Sequence, residues 1–140
     1  MRKLSLLLLS GMTVVTMLFA TTRPALATKP FKDEFDKKYN IKSPTNDMEK
    51  SLAEKVNTAK CNVCHEGTSK KKRNVYGQAV NVYLKKTDMK DVAKIQDALA
   101  KVEAEHSLKG DDKSPTFGDL IKQGKLPGGD VVAGSGGDDK

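Results

Sequence analysis

Tryptophan is absent, and only three Tyr and four Phe are spread over 140 residues. A chain with so few bulky side chains is expected to have difficulty closing a core around itself, and a large apolar ligand would help to fill one. Cysteine is nearly as scarce, with two residues at 61 and 64. Neither lies near the start of the chain, which excludes a lipoprotein anchor there. Histidine also occurs twice, at 65 and 106. No internal repeat and no convincing strand pattern is found, so the expectation is an all-α domain with loops.

The one long hydrophobic run is N-terminal. Arg2 and Lys3 precede a mostly apolar stretch from Leu4 to Ala20, and Ala25-Leu26-Ala27 offers a small-x-small cleavage site. That pattern reads as a secretory signal over residues 1–27. The competing reading, a retained membrane helix, is weakened by Thr13, Thr16, Thr21 and Thr22, so no stable membrane span is expected after cleavage. The expected organisation is then a signal peptide (1–27), one domain (28–127) and a tail (128–140) rich in Gly, Ser and Asp that reads as disordered. Such a chain is periplasmic or otherwise exported.

Without the leader, 22 Lys and Arg stand against 18 Asp and Glu, a net charge of about +4. No RNP-type motif or zinc spacing accompanies the basic residues, so no nucleic-acid partner is expected.

Phe31, Phe35 and Tyr39 recur every fourth residue, predicting an amphipathic helix over 30–39. Thr45 or Asn46 is placed to cap a second helix over 47–59, with Met48, Leu52, Val56 and Ala59 on its buried face. This helix runs into Lys60-Cys61-Asn62-Val63-Cys64-His65. Glu66 to Arg73 reads as a solvated loop. Helical spacing resumes over 74–86, with Tyr76, Val80, Tyr83 and Leu84 inward and Lys85 and Lys86 in the last turn. Asp88 is the expected cap of a helix over 89–106, whose stripe is Val92, Ile95, Leu99, Val102 and His106. A short helix with Phe117, Leu120 and Ile121 inward is expected to end at Gly124.

Cys61-Asn62-Val63-Cys64-His65 has the C-x-x-C-H spacing of c-type haem attachment. Two thiols at this spacing match the two vinyl groups of a porphyrin edge, and the adjacent imidazole falls where it can bind the iron. Three other readings compete. A redox-active disulfide of the thioredoxin type needs a strand feeding a helix, which this chain does not offer. A zinc site of Cys61, Cys64, His65 and His106 has the ligand count, but adjacent Cys64 and His65 make awkward joint ligands. The third is a chance match without cofactor.

The motif at the end of one helix, followed by further helices, resembles the monohaem cytochrome c superfamily. Arg73-Asn74-Val75-Tyr76-Gly77 and the segment from Phe117 to Pro127 are similar to those of small exported haem proteins of planctomycete-type bacteria. The resemblance implies a small cytochrome c-like helical domain wrapped around one covalent haem c. It also implies Cys61 and Cys64 as thioether sites and His65 as the proximal iron ligand. The superfamily's distal signature, a methionine in a Pro-rich loop, is missing here.

The sixth ligand therefore stays open between His106, Met89, Met48, a lysine and an empty position. Methionine opposite histidine raises the reduction potential, a second histidine generally lowers it, and an empty position admits small gases or peroxide. His106 is eligible because its stripe faces the core, and the plainer reading is a residue that caps the helix end. Tyr76 and Tyr83 are read as core-edge residues or as propionate or distal-side neighbours. Lys70, Lys71, Lys72 and Arg73 form either a solvated loop or a docking patch for an acidic redox partner.

The leading expectation is a one-electron carrier and not an enzyme. The alternatives are a protein binding a small gas such as nitric oxide at an open or labile distal site, or a small haem subunit of a larger redox complex. In the last case the Phe31, Phe35 and Tyr39 face would dock outward.

Overall fold

The computed structural model describes residues 29–130. The expected signal segment 1–27 and residues 131–140 of the expected tail lie outside the described residues. Five helices carry the fold: α1 (Lys29–Lys38), α2 (Asp47–Ala59), α3 (Val75–Tyr83), α4 (Val92–Glu103) and α5 (Phe117–Lys122). None among the described residues is long and apolar enough to cross a membrane.

The core closes on side chains from all five. Leu52, Val56, Val80, Ile95, Leu99, Val102 and Ile121 supply the aliphatic bulk. Through it runs an edge-to-face aromatic chain, with Phe35 to Tyr76 ring centroids 5.9 Å apart and Tyr76 to Phe117 5.3 Å. Phe35 is 2% exposed, and Phe31 and Tyr39 pack against the same core. The aromatic face of α1 is therefore consumed internally, which corrects the expectation of an outward docking face. Gln96 of α4 fastens α1 by donating to the Glu34 carboxylate (2.7 Å) and carbonyl (3.2 Å). The Lys37 ammonium, with Gln96, holds the Glu34 carboxyl below its ordinary range.

α2 starts where its cap predicts. The Asn46 side chain accepts from the Glu49 amide (2.9 Å), and the Glu49 carboxylate accepts from the Thr45 amide (2.7 Å). Leu52, Val56 and Ala59 are buried as expected, but Met48 is 53% exposed. The first turn of α2 offers its backbone, not the Met48 side chain, to the chain leaving α5.

Three expectations about element ends need correction. The segment after His65 is not all loop: β1 (His65–Glu66) pairs antiparallel with β2 (Ser69–Arg73), turning through Gly67 at φ +65°. All five residues of β2 are exposed, so no apolar alternation marked it as a strand. Second, α3 stops at Tyr83, and Lys85 and Lys86 belong to the next connection. The carboxylate of Asp88 accepts from the Lys85 amide (2.8 Å) and starts a 3-10 turn, Lys86–Lys90, which contains Met89. Third, α4 is shorter than 89–106 at both ends. Asp91 caps it by accepting from the Lys94 amide (2.9 Å), and it ends at Glu103. Beyond that, the Ser107 amide donates to the Pro115 carbonyl and the Phe117 amide to the Glu105 carbonyl, both at 2.9 Å. This extended pairing carries His106 off the helical stripe and leaves it exposed opposite Thr116.

α5 ends as its glycine predicts. Gly124 has φ +68°, its amide bonds the Ile121 carbonyl (2.9 Å), and the Lys125 amide bonds the Leu120 carbonyl (2.9 Å). That is a Schellman termination. A Cβ at 124 would lie 2.8 Å from the Met48 carbonyl oxygen, and the Ser51 hydroxyl donates to the Gly124 carbonyl at 3.2 Å. Gly124→Ala adds left-handed strain to that contact and should lower stability by about 2 kcal/mol, lowering the thermal midpoint by several degrees in a circular-dichroism melt.

Candidate functional site

α2 delivers the chain to the cysteines through Lys60, whose φ of +51° turns the backbone while its amide still bonds the Val56 carbonyl. The 3-10 turn Lys60–Val63 follows. Val63 is 1% exposed and plugs this turn into the core. Cys61 is consequently exposed, and Cys64 packs partly against the core.

Asn74 holds this turn in place. Its carboxamide nitrogen donates to the carbonyls of Asn62 (3.0 Å) and Val63 (3.1 Å), with that of His65 at 3.5 Å. Its carboxamide oxygen accepts from the Gly77 amide at 2.9 Å and so caps α3. Its own amide donates to the Cys64 carbonyl at 3.2 Å. These partners fix which end of the carboxamide is which, since only the nitrogen can donate to carbonyls. Gly77 lets α3 press on the turn: a Cβ there would fall 1.9 Å from the Cys64 carbonyl oxygen.

His65 lies at the start of β1. Its Nδ1 is 3.1 Å from the Lys72 carbonyl across the hairpin. A carbonyl only accepts, so Nδ1 carries the proton and the Nε2 lone pair is left available. An imidazole with Nδ1 held by a backbone carbonyl is the usual arrangement of a metal-binding histidine. His65 lines an open cleft of about 450 Å³ together with Arg73, Asn74, Gln78 and Gly128. Neither cysteine lines it, nor does Met89 or His106.

Met89 and His106, the two distal candidates that follow the motif, are placed elsewhere. Met89 sits on a turn packed against α1 and α4. The His106 Nδ1 donates to the Ser114 carbonyl at 2.6 Å. Among the described residues no three His, Cys, Asp or Glu side chains cluster to hold a metal ion, so the zinc set with His106 is not assembled.

Burial pushes the Cys64 thiol up to about 12. It is therefore protonated at neutral pH, which slows disulfide exchange. The Tyr76 hydroxyl near it, and the Tyr39 hydroxyl beside Tyr76, are buried without a hydrogen-bond partner among the described residues. Burial raises both above their ordinary range. Two thiols and an imidazole with a free Nε2 are the groups that a covalently held haem would take, and of these only His65 lines the cleft.

Which residues mattered was partly legible. Cys61, Cys64 and His65 stood out by spacing. Asn74 and Val63 did not, although an Asn three residues before a glycine at a helix start is a capping signal. Asn74→Ala removes a cap and two carbonyl partners and should cost about 2 to 3 kcal/mol in urea denaturation. Asn74→Asp keeps the cap acceptor but turns a carboxylate oxygen toward the Asn62 and Val63 carbonyls, so it should lose at least as much.

In haem-free protein, iodoacetamide at about pH 8 should label Cys61 and leave Cys64 at least ~100-fold slower, as read by peptide mass spectrometry. Because the folded Cys64 holds its proton more tightly than the unfolded one, haem-free stability should fall as pH rises from roughly 8.5 toward 12.

No protein-family model, curated protein or solved structure matches the chain.

Proposed function

We propose that this chain is an exported monohaem c-type cytochrome that carries one electron between larger redox partners. The observation that carries the reading is the C-x-x-C-H segment whose histidine has Nδ1 engaged by the Lys72 carbonyl and Nε2 free. On this reading the Cys61 and Cys64 thiols add across the two vinyl groups: each sulfur bonds one vinyl carbon and its proton passes to the other, with no net oxidation. His65 would hold the iron through Nε2, with the Lys72 carbonyl keeping the ring in that tautomer. Haem bound there supplies a one-electron Fe(III)/Fe(II) couple. Lys70, Lys71, Lys72 and Arg73 form no ion pair among the described residues and steer an acidic partner toward the hairpin that bears His65.

A second reading has one observation in its favour. Neither His106 nor Met89 lines the cleft beside His65, as expected if the distal position is open to a small gas such as nitric oxide.

The test is expression in cells competent to attach haem, followed by oxidised, reduced and carbon monoxide-treated spectra. Sharp reduced c-type bands, retained after denaturation and lost together in Cys61→Ser/Cys64→Ser, are the expected result. Bands unmoved by carbon monoxide support the carrier, and an immediate shift supports the gas-binding reading. No attached haem overturns both.

A further inference from the structure

The two cysteines and His65 lie on an excursion from the helical core. Residues 61–73 leave α2 at Lys60 and return to α3 at Asn74, and of their side chains the core takes only Val63 and part of Cys64. None of them joins an ion pair among the described residues. What holds the segment down is concentrated at Asn74. The carbonyls of Asn62, Val63 and His65 face its carboxamide nitrogen at 3.0, 3.1 and 3.5 Å, and the Cys64 carbonyl accepts from its backbone amide at 3.2 Å. The hairpin bonds are internal to the segment, both the β1–β2 pairing and the contact of His65 with the Lys72 carbonyl. Only Gln78 reaches in from outside, donating to the Arg73 carbonyl at the far end (3.0 Å). The near end is strained, because Lys60 has φ +51° and ψ −113°, a combination that a residue with a Cβ disfavours.

We infer that residues 61–73 open as a unit while the five helices stay folded, with Lys60 as the hinge, Asn74 as the latch and Val63 as the plug that is withdrawn. Global unfolding exposes the whole core, whereas this opening exposes one valine and part of one cysteine. Segments with so few buried contacts open at a fraction of the global cost. The released carbonyls exchange their bonds to Asn74 for bonds to water, and the Asn74 cap on the Gly77 amide is left intact. Relief of the backbone at Lys60 favours the open state further. The consequence falls on Cys64. In the closed state Cys61 faces solvent, Cys64 packs against the core, and neither lines the cleft with His65. Opening brings the Cys64 thiol to solvent without unfolding the helices. On the haem reading, on which this last step rests, a porphyrin vinyl then reaches Cys64 in a chain that is already folded: the sulfur bonds one vinyl carbon and the thiol proton passes to the other.

The test of the opening needs no haem. In haem-free Cys61→Ser protein, alkylation of Cys64 by iodoacetamide at about pH 8 is followed by peptide mass spectrometry over a urea series below the unfolding midpoint. Circular dichroism on the same samples gives the global unfolding constant. Opening of 61–73 alone exposes little surface, so the rate should stay nearly flat at low urea and join the steep global limb only near the midpoint. Asn74→Ala should raise the flat rate by ~10-fold or more, and Lys60→Gly, which relieves the closed state, should lower it several-fold. A rate that climbs from zero urea by roughly fivefold or more per molar, in parallel with global unfolding, overturns the proposal. Because the urea series uses neither of these two variants, it decides even where Asn74→Ala fails to fold. A flat limb in a chain that attaches no haem in competent cells keeps the opening and removes the haem reading, and a steep limb in a chain that does attach haem does the reverse.

Discussion

The carboxamide of Asn74 is the constraint on which the rest of the site depends. One planar group accepts from the Gly77 amide and donates to the Asn62 and Val63 carbonyls, so the start of α3 and the cysteine turn are located by the same atoms. An aspartate lacks the donors, a serine is too short to bridge the two segments, and alanine offers nothing. The clamp also explains two glycines. Gly77 must be bare because α3 is drawn onto the Cys64 carbonyl, and Gly128 because the departing chain passes over the clamp itself.

What the clamp fixes, the hairpin then uses. With the carbonyls from Asn62 to His65 committed, β1 leaves the turn in one direction, and pairing with β2 brings the Lys72 carbonyl to His65 Nδ1. The imidazole tautomer is therefore a consequence of backbone pairing, not of a dedicated side-chain partner. The same placement separates the two thiols by environment: Cys61 faces solvent, while Cys64 is pushed up to about 12 by burial. A pair so unequal is poorly suited to disulfide exchange, in which both sulfurs must take turns as nucleophile and leaving group.

The parts that were legible in the sequence are those where local and tertiary signals agree. Asn46, Leu52, Val56 and Ala59 mark α2, and Gly124 marks the end of α5, because a cap, a stripe or a positive φ leaves a residue-type signature. The errors arise where tertiary pairing overrides a continuing pattern. His106 stays in phase with Val102 on paper, yet two backbone hydrogen bonds to 115 and from 117 convert its segment to extended chain. β2 was illegible for the opposite reason, since a strand buried on neither face needs no apolar alternation. Met48 keeps the phase of α2, but its turn meets the α5 exit through backbone contacts. The low aromatic content also misled. Three well-placed rings joined to aliphatic side chains from five helices suffice to close the core.

The distribution of charge follows from the same architecture and gives the molecule a direction. Residues 28–140 carry 22 basic and 18 acidic side chains, and the excess of four equals the four cations of β2. Elsewhere the acids and bases balance, many of them paired on the helices, as in Lys32 with Asp36 and Lys101 with Asp97. A net charge this small would steer weakly if it were spread evenly. Four consecutive exposed cations on one strand make a local positive patch on the hairpin that also positions His65. On the carrier reading proposed above, that charge would steer an acidic partner toward the hairpin that bears His65.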